Sequence, residues 1–196
     1  MPRRAISVFG SSQPRPGDPA YATACTVGRR LAEVGFDLIN GGHAGTMAAV
    51  SAGGRAGGAR VLGVTCSPLR ALRAAPLNAD LHDVIAAPTL LARIEIMMRR
   101  ASGYVILPAG TGTLAELAVV WDHVAKGLIA PRPIVFLAAS WEPAIAAANA
   151  GAAANALLRR AADPEEVVRI ISAEAVTLPE AERTYTAGLE LRRADA

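Results

Sequence analysis

Cysteine, aromatic residues and lysine are all scarce in this chain, and each scarcity removes a class of protein. The two cysteines, Cys25 and Cys66, stand alone with no CxxC, which excludes a disulfide-stapled secreted framework and reads as two small apolar side chains. Aromatics make up 4% of 196 residues, too few for a stacking platform for single-stranded nucleic acid. The only lysine is Lys126, so nearly all the positive charge is arginine. The arginines are scattered or in short pairs such as Arg99-Arg100, without the basic block or basic-aromatic stripe of a nucleic-acid binder. A net charge of +3 suits small anionic molecules equally well. No run approaches the roughly 20 apolar residues of a membrane span, and MPRRAISVFG turns polar too soon for a signal peptide. The expected location is cytoplasmic, with neither a nucleic-acid nor a membrane partner. His43, His82 and His123 lack metal-ligand spacing, so no metal site is expected.

What is present is a repeated alternation of short apolar runs with helical periodicity. Strands are predicted at residues 5–9, 36–40, 61–65, 83–86, 104–107 and 133–137, with a short last one near Leu157-Leu158. Helices are predicted over about 21–34, 46–57, 89–101, 113–127 and 141–149, with another starting at Asp163-Pro164. Residues 66–80, with Pro68 and Pro76, read as loop with room for one helical turn. Strand–helix alternation with short connections predicts a Rossmann-like α/β fold, with a doubly wound, mainly parallel sheet and helices on both faces. The expected organisation is one nucleotide-binding domain over residues 1–178, followed by a polar tail over 179–196 that is either a loose helix or disordered.

Three strand ends carry glycine: Gly10-Ser11-Ser12, Asn40-Gly41-Gly42-His43-Ala44-Gly45, and Pro108-Ala109-Gly110-Thr111-Gly112-Thr113. Ligands bind such sheets beyond the carboxyl ends of the strands. Glycine lets the backbone approach a ligand there, and a following helix N-terminus favours an anion. Thr111 and Thr113 add hydroxyl groups for phosphate oxygens. None of the turns matches GxGxxG or GxxxxGK[ST], which speaks against dinucleotide and nucleoside triphosphate sites. Glu116 is expected on the first turn of the next helix, where the helix dipole alone explains a carboxylate; alternatively it faces the same pocket. Arg93, on the preceding helix, reads by itself as a solvated surface arginine, or as a partner for a phosphate or for Glu116. There is no GxSxG elbow, and Ser11 and Ser12 have no evident His/Asp pair, so a hydrolase triad is not expected.

The stretch Pro108-Ala109-Gly110-Thr111-Gly112-Thr113-Leu114-Ala115-Glu116 resembles the PGGxGTxxE motif of the LOG ("Lonely Guy") family, many of whose members carry the label "possible lysine decarboxylase". Val8 to Ser12 resembles that family's first strand, and Gly41 to Met47 its second glycine motif; together the likeness spans roughly residues 5–140. The resemblance implies a homodimer that hydrolyses the N-glycosidic bond of AMP or of a cytokinin riboside 5′-monophosphate, with no metal or redox cofactor. It implies Arg93 and Glu116 as the catalytic pair. Gly10, Ser11, Ser12, Gly41, Gly42, Gly45, Met47, Pro108, Gly110, Thr111, Gly112 and Thr113 are then the ligand-binding residues. The alternative within the same fold is a non-catalytic nucleotide or molybdenum-cofactor carrier. A pyridoxal-phosphate decarboxylase is not expected, because it needs a Schiff-base lysine at the site and Lys126 lies at the far end of a helix. Three positions depart from the family pattern. Ala109 replaces the second glycine and predicts a crowded or altered turn. Ile94 stands where lysine is usual. Asn40 stands where glycine is common, as a residue suited to left-handed backbone.

Overall fold

A computed structural model of the chain describes residues 3–68, 76–137, 139–148 and 151–194. Among the described residues, eight strands form one sheet: β1 (Ala5–Phe9), β2 (Asp37–Asn40), β3 (Val61–Cys66), β4 (Asp83–Ala87), β5 (Gly103–Ile106), β6 (Ile134–Leu137), β7 (Leu158–Ala161) and β8 (Leu191–Arg193). Their order across the sheet is β7-β6-β5-β1-β2-β3-β4-β8. The first seven run parallel, and β8 pairs antiparallel with β4. This is the expected Rossmann-like α/β architecture.

The helices are α1 (Pro19–Glu33), α2 (Thr46–Ala56), α3 (Leu90–Arg100), α4 (Thr111–Ala125), α5 (Glu142–Ala148), α6 (Ala152–Asn155), α7 (Pro164–Glu174) and α8 (Glu180–Arg183). Strand residues alternate between two apolar layers, as a period of two requires. On one face Ile6, Val8, Leu38 and Val105 pack under α1, α2 and α7 through Val27, Leu31, Val50 and Ile171. On the other Phe9, Ile39, Tyr104 and Ile106 pack under α3 and α4 through Ile96, Met97, Leu117 and Trp121. Met97 and Met98 are fully buried here, so they fill core rather than an interface.

Helix starts follow the capping chemistry in the sequence, with two-residue shifts at α1 and α4. Thr89 caps α3 by accepting from the Ala92 N–H at 3.1 Å, and Asp163 caps α7 by accepting from Glu166 at 2.8 Å. Proline occupies the first turn of α1, as at other helix starts, so α1 begins at Pro19 rather than Tyr21. The expected loop over 66–80 has its centre, 69–75, outside the described residues, as does Asn149 at the end of the predicted fifth helix. Beyond Pro179 the polar segment forms α8 and then β8 along the open edge of β4. Among the described residues, no helix is long and apolar enough to cross a membrane.

The strand order positions the site. From β1 the chain winds outward through β2, β3 and β4, then returns to place β5 on the other side of β1. The switch point lies between β1 and β5, where Leu107 N–H donates to the Phe9 carbonyl at 2.9 Å. Gly10-Ser11-Ser12 and the turn from Pro108 both leave the sheet at that crevice.

Candidate functional site

The β1 and β2 turns are built against each other. The Ser11 carbonyl accepts from the Thr46 backbone N–H at 2.8 Å and from the Thr46 hydroxyl at 3.1 Å, tying the end of β1 to the start of α2. Gly45 has φ +73°, and a Cβ there would collide with the Ser11 and Ser12 backbone. Gly42 also has positive φ, and its N–H donates to Asn40 Oδ1 at 2.8 Å. Asn40 is fully buried, and its Nδ2 donates to Ser51 Oγ at 2.8 Å. Its backbone is that of an ordinary strand residue; the only non-glycine with positive φ among the described residues is Ala187. Asn40 therefore serves as a hydrogen-bonded anchor for the glycine turn, not as a glycine substitute. Asn78 holds the same turn from outside, its backbone N–H donating to the Gly42 carbonyl at 3.0 Å.

The β5 turn differs in kind. Helix α4 begins at Thr111, two residues before the predicted start, with Gly110 at the cap position and no side-chain cap. The first-turn N–H groups of Thr111, Gly112 and Thr113 thus belong to a helix N-terminus, which attracts anions. Neither Gly110 nor Gly112 has positive φ, and a Cβ on either would meet open space. Folding does not demand glycine at these positions; their effect is to leave the backbone bare. Ala109 has no positive φ either, and its methyl group packs against the α3–α4 apolar layer, so the expected crowding is absent.

Arg93 and Glu116 lie side by side. Arg93 Nη1 sits 3.3 Å from Glu116 Oε1, with the two residues 8% and 6% exposed. The surface reading of Arg93 is therefore corrected. Its Nε donates to the Val64 carbonyl at 2.8 Å, so β3 aims the guanidinium. Nη2 lies 3.9 Å from Met47 Sδ and fills the space that a side chain at Gly41 would take. Because α4 starts at Thr111, Glu116 lies on its second turn, where the dipole effect has faded. Burial pushes its carboxyl up to about 7; the Arg93 guanidinium and a hydrogen bond from Thr113 pull the other way and offset only part of this. Ile94 is buried beside Arg93, on the helix itself.

The predicted residues thus fall into two groups. Gly10, Ser11, Ser12, Gly41, Gly42, Gly45 and Met47 form one interlocked body with Arg93 and Glu116. Pro108, Gly110, Thr111 and Gly112 form the exposed lip of the neighbouring strand end, with Thr113 buried behind them. Asn40, Thr46, Val64 and Asn78 were not among the predicted residues. Asn40, directly before the glycine pair, and Thr46, inside the motif from Gly41 to Met47, carried a signal that could have marked them. His82 and His123 are engaged elsewhere, with Val61 N–H and the Val119 carbonyl. No group of three or more His, Cys, Asp or Glu among the described residues could hold a metal ion.

The family model described as the SLOG cluster4 family matches residues 3–168. A cytokinin riboside 5′-monophosphate phosphoribohydrolase from Mycobacterium tuberculosis is 36% identical over 133 residues, covering 67% of this chain and 69% of that protein. The protein of the same name from Mycobacterium marinum is 37% identical over 106 residues, covering 54% of this chain and 56% of its own length. The chain thus spans little more than half of that relative. Among solved structures, the molybdenum cofactor carrier protein from Chlamydomonas reinhardtii superposes with a TM-score of 0.68 at 22% identity, over 88% of this chain and 98% of the carrier. At that identity the likeness shows a shared fold.

Proposed function

We propose that this chain, which belongs to the SLOG cluster4 family, hydrolyses the N-glycosidic bond of a nucleoside 5′-monophosphate of the AMP or cytokinin riboside kind, releasing free base and ribose 5-phosphate. The observation that carries the proposal is the buried Arg93–Glu116 pair behind three glycine-bearing strand ends. Breaking the C1′–N bond sends its electron pair to the base and leaves positive charge on the ribose ring. A fixed carboxylate in a water-poor site stabilises that charge and orients the attacking water. The water oxygen bonds to C1′, one of its protons remains on the new hydroxyl, and the other goes to the departing base.

Arg93 acts on this reading as a positioning residue, because two of its nitrogens are committed to Val64 and Glu116. The ribose phosphate falls to the bare N-terminus of α4, with Thr111 supplying a hydroxyl, whereas the buried Thr113 hydroxyl is spent on Glu116. Lys126 is exposed and paired with Asp122 at the far end of α4, about 22 Å from the turn at 1.5 Å per residue, which supports no Schiff-base role. The reading includes a homodimer, for which Leu90 and Leu91, exposed at the start of α3, offer an apolar patch.

The test is incubation of the whole chain with AMP, a cytokinin riboside monophosphate, GMP and CMP, with mass-spectrometric detection of base and ribose 5-phosphate. Release from a purine nucleotide, abolished in Glu116→Gln, is the expected result. No release from any of the four overturns the proposal. Tight nucleotide binding without turnover moves the chain to the carrier reading.

A further inference from the structure

A cavity of about 250 Å³ opens at the opposite end of the sheet, where β1 to β4 begin. It is remote from the glycine turns and rests on none of the argument for hydrolysis. Its floor is apolar, made by Ala5, Ile39 and Leu62 on the face that α3 covers. Its walls are the last residue of α3, Arg100, and the tail residues Arg183 and Thr184.

The charges around it do not cancel. Asp37 faces Arg3 at 3.7 Å and accepts the Arg60 N–H at 2.9 Å. Asp83 is engaged by Arg60 at 2.6 Å and Arg193 at 3.5 Å. Both carboxylates are therefore matched. Among the described residues, Arg100 and Arg183 form no salt bridge. Arg100 donates only to the Tyr185 carbonyl, at 3.2 Å; burial works against its charge, and the nearby Asp83 carboxylate offsets part of that. The carbonyl end of α3 would repel an anion, but Arg132 binds the Met98, Arg99 and Ala101 carbonyls and neutralises that end separately. The volume equals about eight waters of the liquid, enough for one ring and one anionic group.

We infer that this amino-edge cavity binds a small organic anion, a carboxylate or phosphate monoester on a single-ring body, with the ring on Ala5, Ile39 and Leu62 and the anionic group on Arg100 and Arg183. Arg183 and Thr184 of the tail thereby supply one wall of a second ligand site. The site selects against neutral molecules through the two arginines and against bare inorganic ions through its apolar floor.

The experiment is a proton–nitrogen NMR titration of the full chain with phenyl phosphate, benzoate, benzyl alcohol and inorganic phosphate. Amide shifts at Ala5, Leu62 and Thr184 report this cavity; shifts at Gly110 to Thr113 report the carboxyl-edge site separately. Phenyl phosphate or benzoate should shift the first set, and whichever binds tighter names the anionic group. Arg183→Ala, on an accessible helix, should weaken that binding at least fivefold while leaving base release from nucleotides unchanged. Arg100→Gln should weaken it further. Equal binding of benzyl alcohol, equal binding of inorganic phosphate, or unchanged affinity in Arg183→Ala overturns the inference.

Discussion

The Arg93 guanidinium occupies the space where Gly41 would carry a side chain. A Cβ at position 41 would overlap Nη2 and lie 2.6 Å from Met47 Sδ. The glycine of the β2 turn thus has a steric task, admitting the cation that sits against Glu116. Gly41→Ala is expected to displace the guanidinium, lowering kcat at least tenfold while circular dichroism stays native. Unchanged kcat would show that the placement of Arg93 is unimportant.

Glu116 links the site to pH. Its folded pKa, about 7, lies above the unfolded carboxylate value of 4.5. The native state therefore holds this proton longer than the unfolded chain. Its contribution to stability is complete below about pH 4.5 and is lost as pH rises through 7, a change on the order of 3 kcal/mol at 1.36 kcal/mol per pH unit. Denaturant titrations across pH 4.5 to 8 should show this slope in the wild type and its absence in Glu116→Gln. If the ionised carboxylate stabilises the ribose cation, kcat/KM should climb between pH 6 and 8. A limb centred near 6 instead would belong to the substrate phosphate.

Two kinds of glycine predict two kinds of defect. Gly45 has positive φ and no room for a Cβ, so Gly45→Ala should lower stability by about 2 kcal/mol or more. Gly110 and Gly112 have room and ordinary φ. Alanine at either should leave the melting temperature unchanged or slightly raised, and Gly112, inside α4, should gain up to about 1 kcal/mol. Nucleotide KM should nonetheless rise several-fold in both. Thermal melts and saturation kinetics on the three variants separate the classes, and a KM left unchanged at 110 and 112 would remove the phosphate role of the turn.

Arg132 fastens the tail to the helix that carries Arg93. Its guanidinium donates to three carbonyls at the end of α3 and pairs with Glu182 on α8. Tyr185 adds a hydroxyl bond to Glu95 at 2.8 Å. Arg132→Met leaves three carbonyls and a carboxylate without their donor and should cost about 3–5 kcal/mol. Tyr185→Phe loses one partly exposed bond and should cost about 1 kcal/mol. Chemical denaturation of both variants checks the ranking.

Homodimer formation predicts a mass near twice 20.2 kDa in light scattering. Leu91, 72% exposed, is the residue to change: Leu91→Arg should shift the population to monomer if the start of α3 is the contact. A wild-type monomer at all concentrations would dismiss the homodimer.

Much of this architecture was legible along the chain. Apolar runs of four to six residues separated by helical periodicity specify alternating strands and helices, and both properties depend on near neighbours. The three glycine strand ends, the Thr89 and Asp163 caps and the motif around Gly110 were visible for the same reason. What the tertiary structure decided involves residues far apart. Arg93 and Glu116 are 23 positions apart, and only the return of β5 beside β1 sets their helices together and buries both. Burial then moves the Glu116 carboxyl, an effect that no local pattern contains. Asn40 became an anchor because Ser51 comes round on α2, and the polar tail became a strand because β4 left an edge to pair with. Local chemistry chose the elements, whereas desolvation and long-range pairing chose which of their side chains meet.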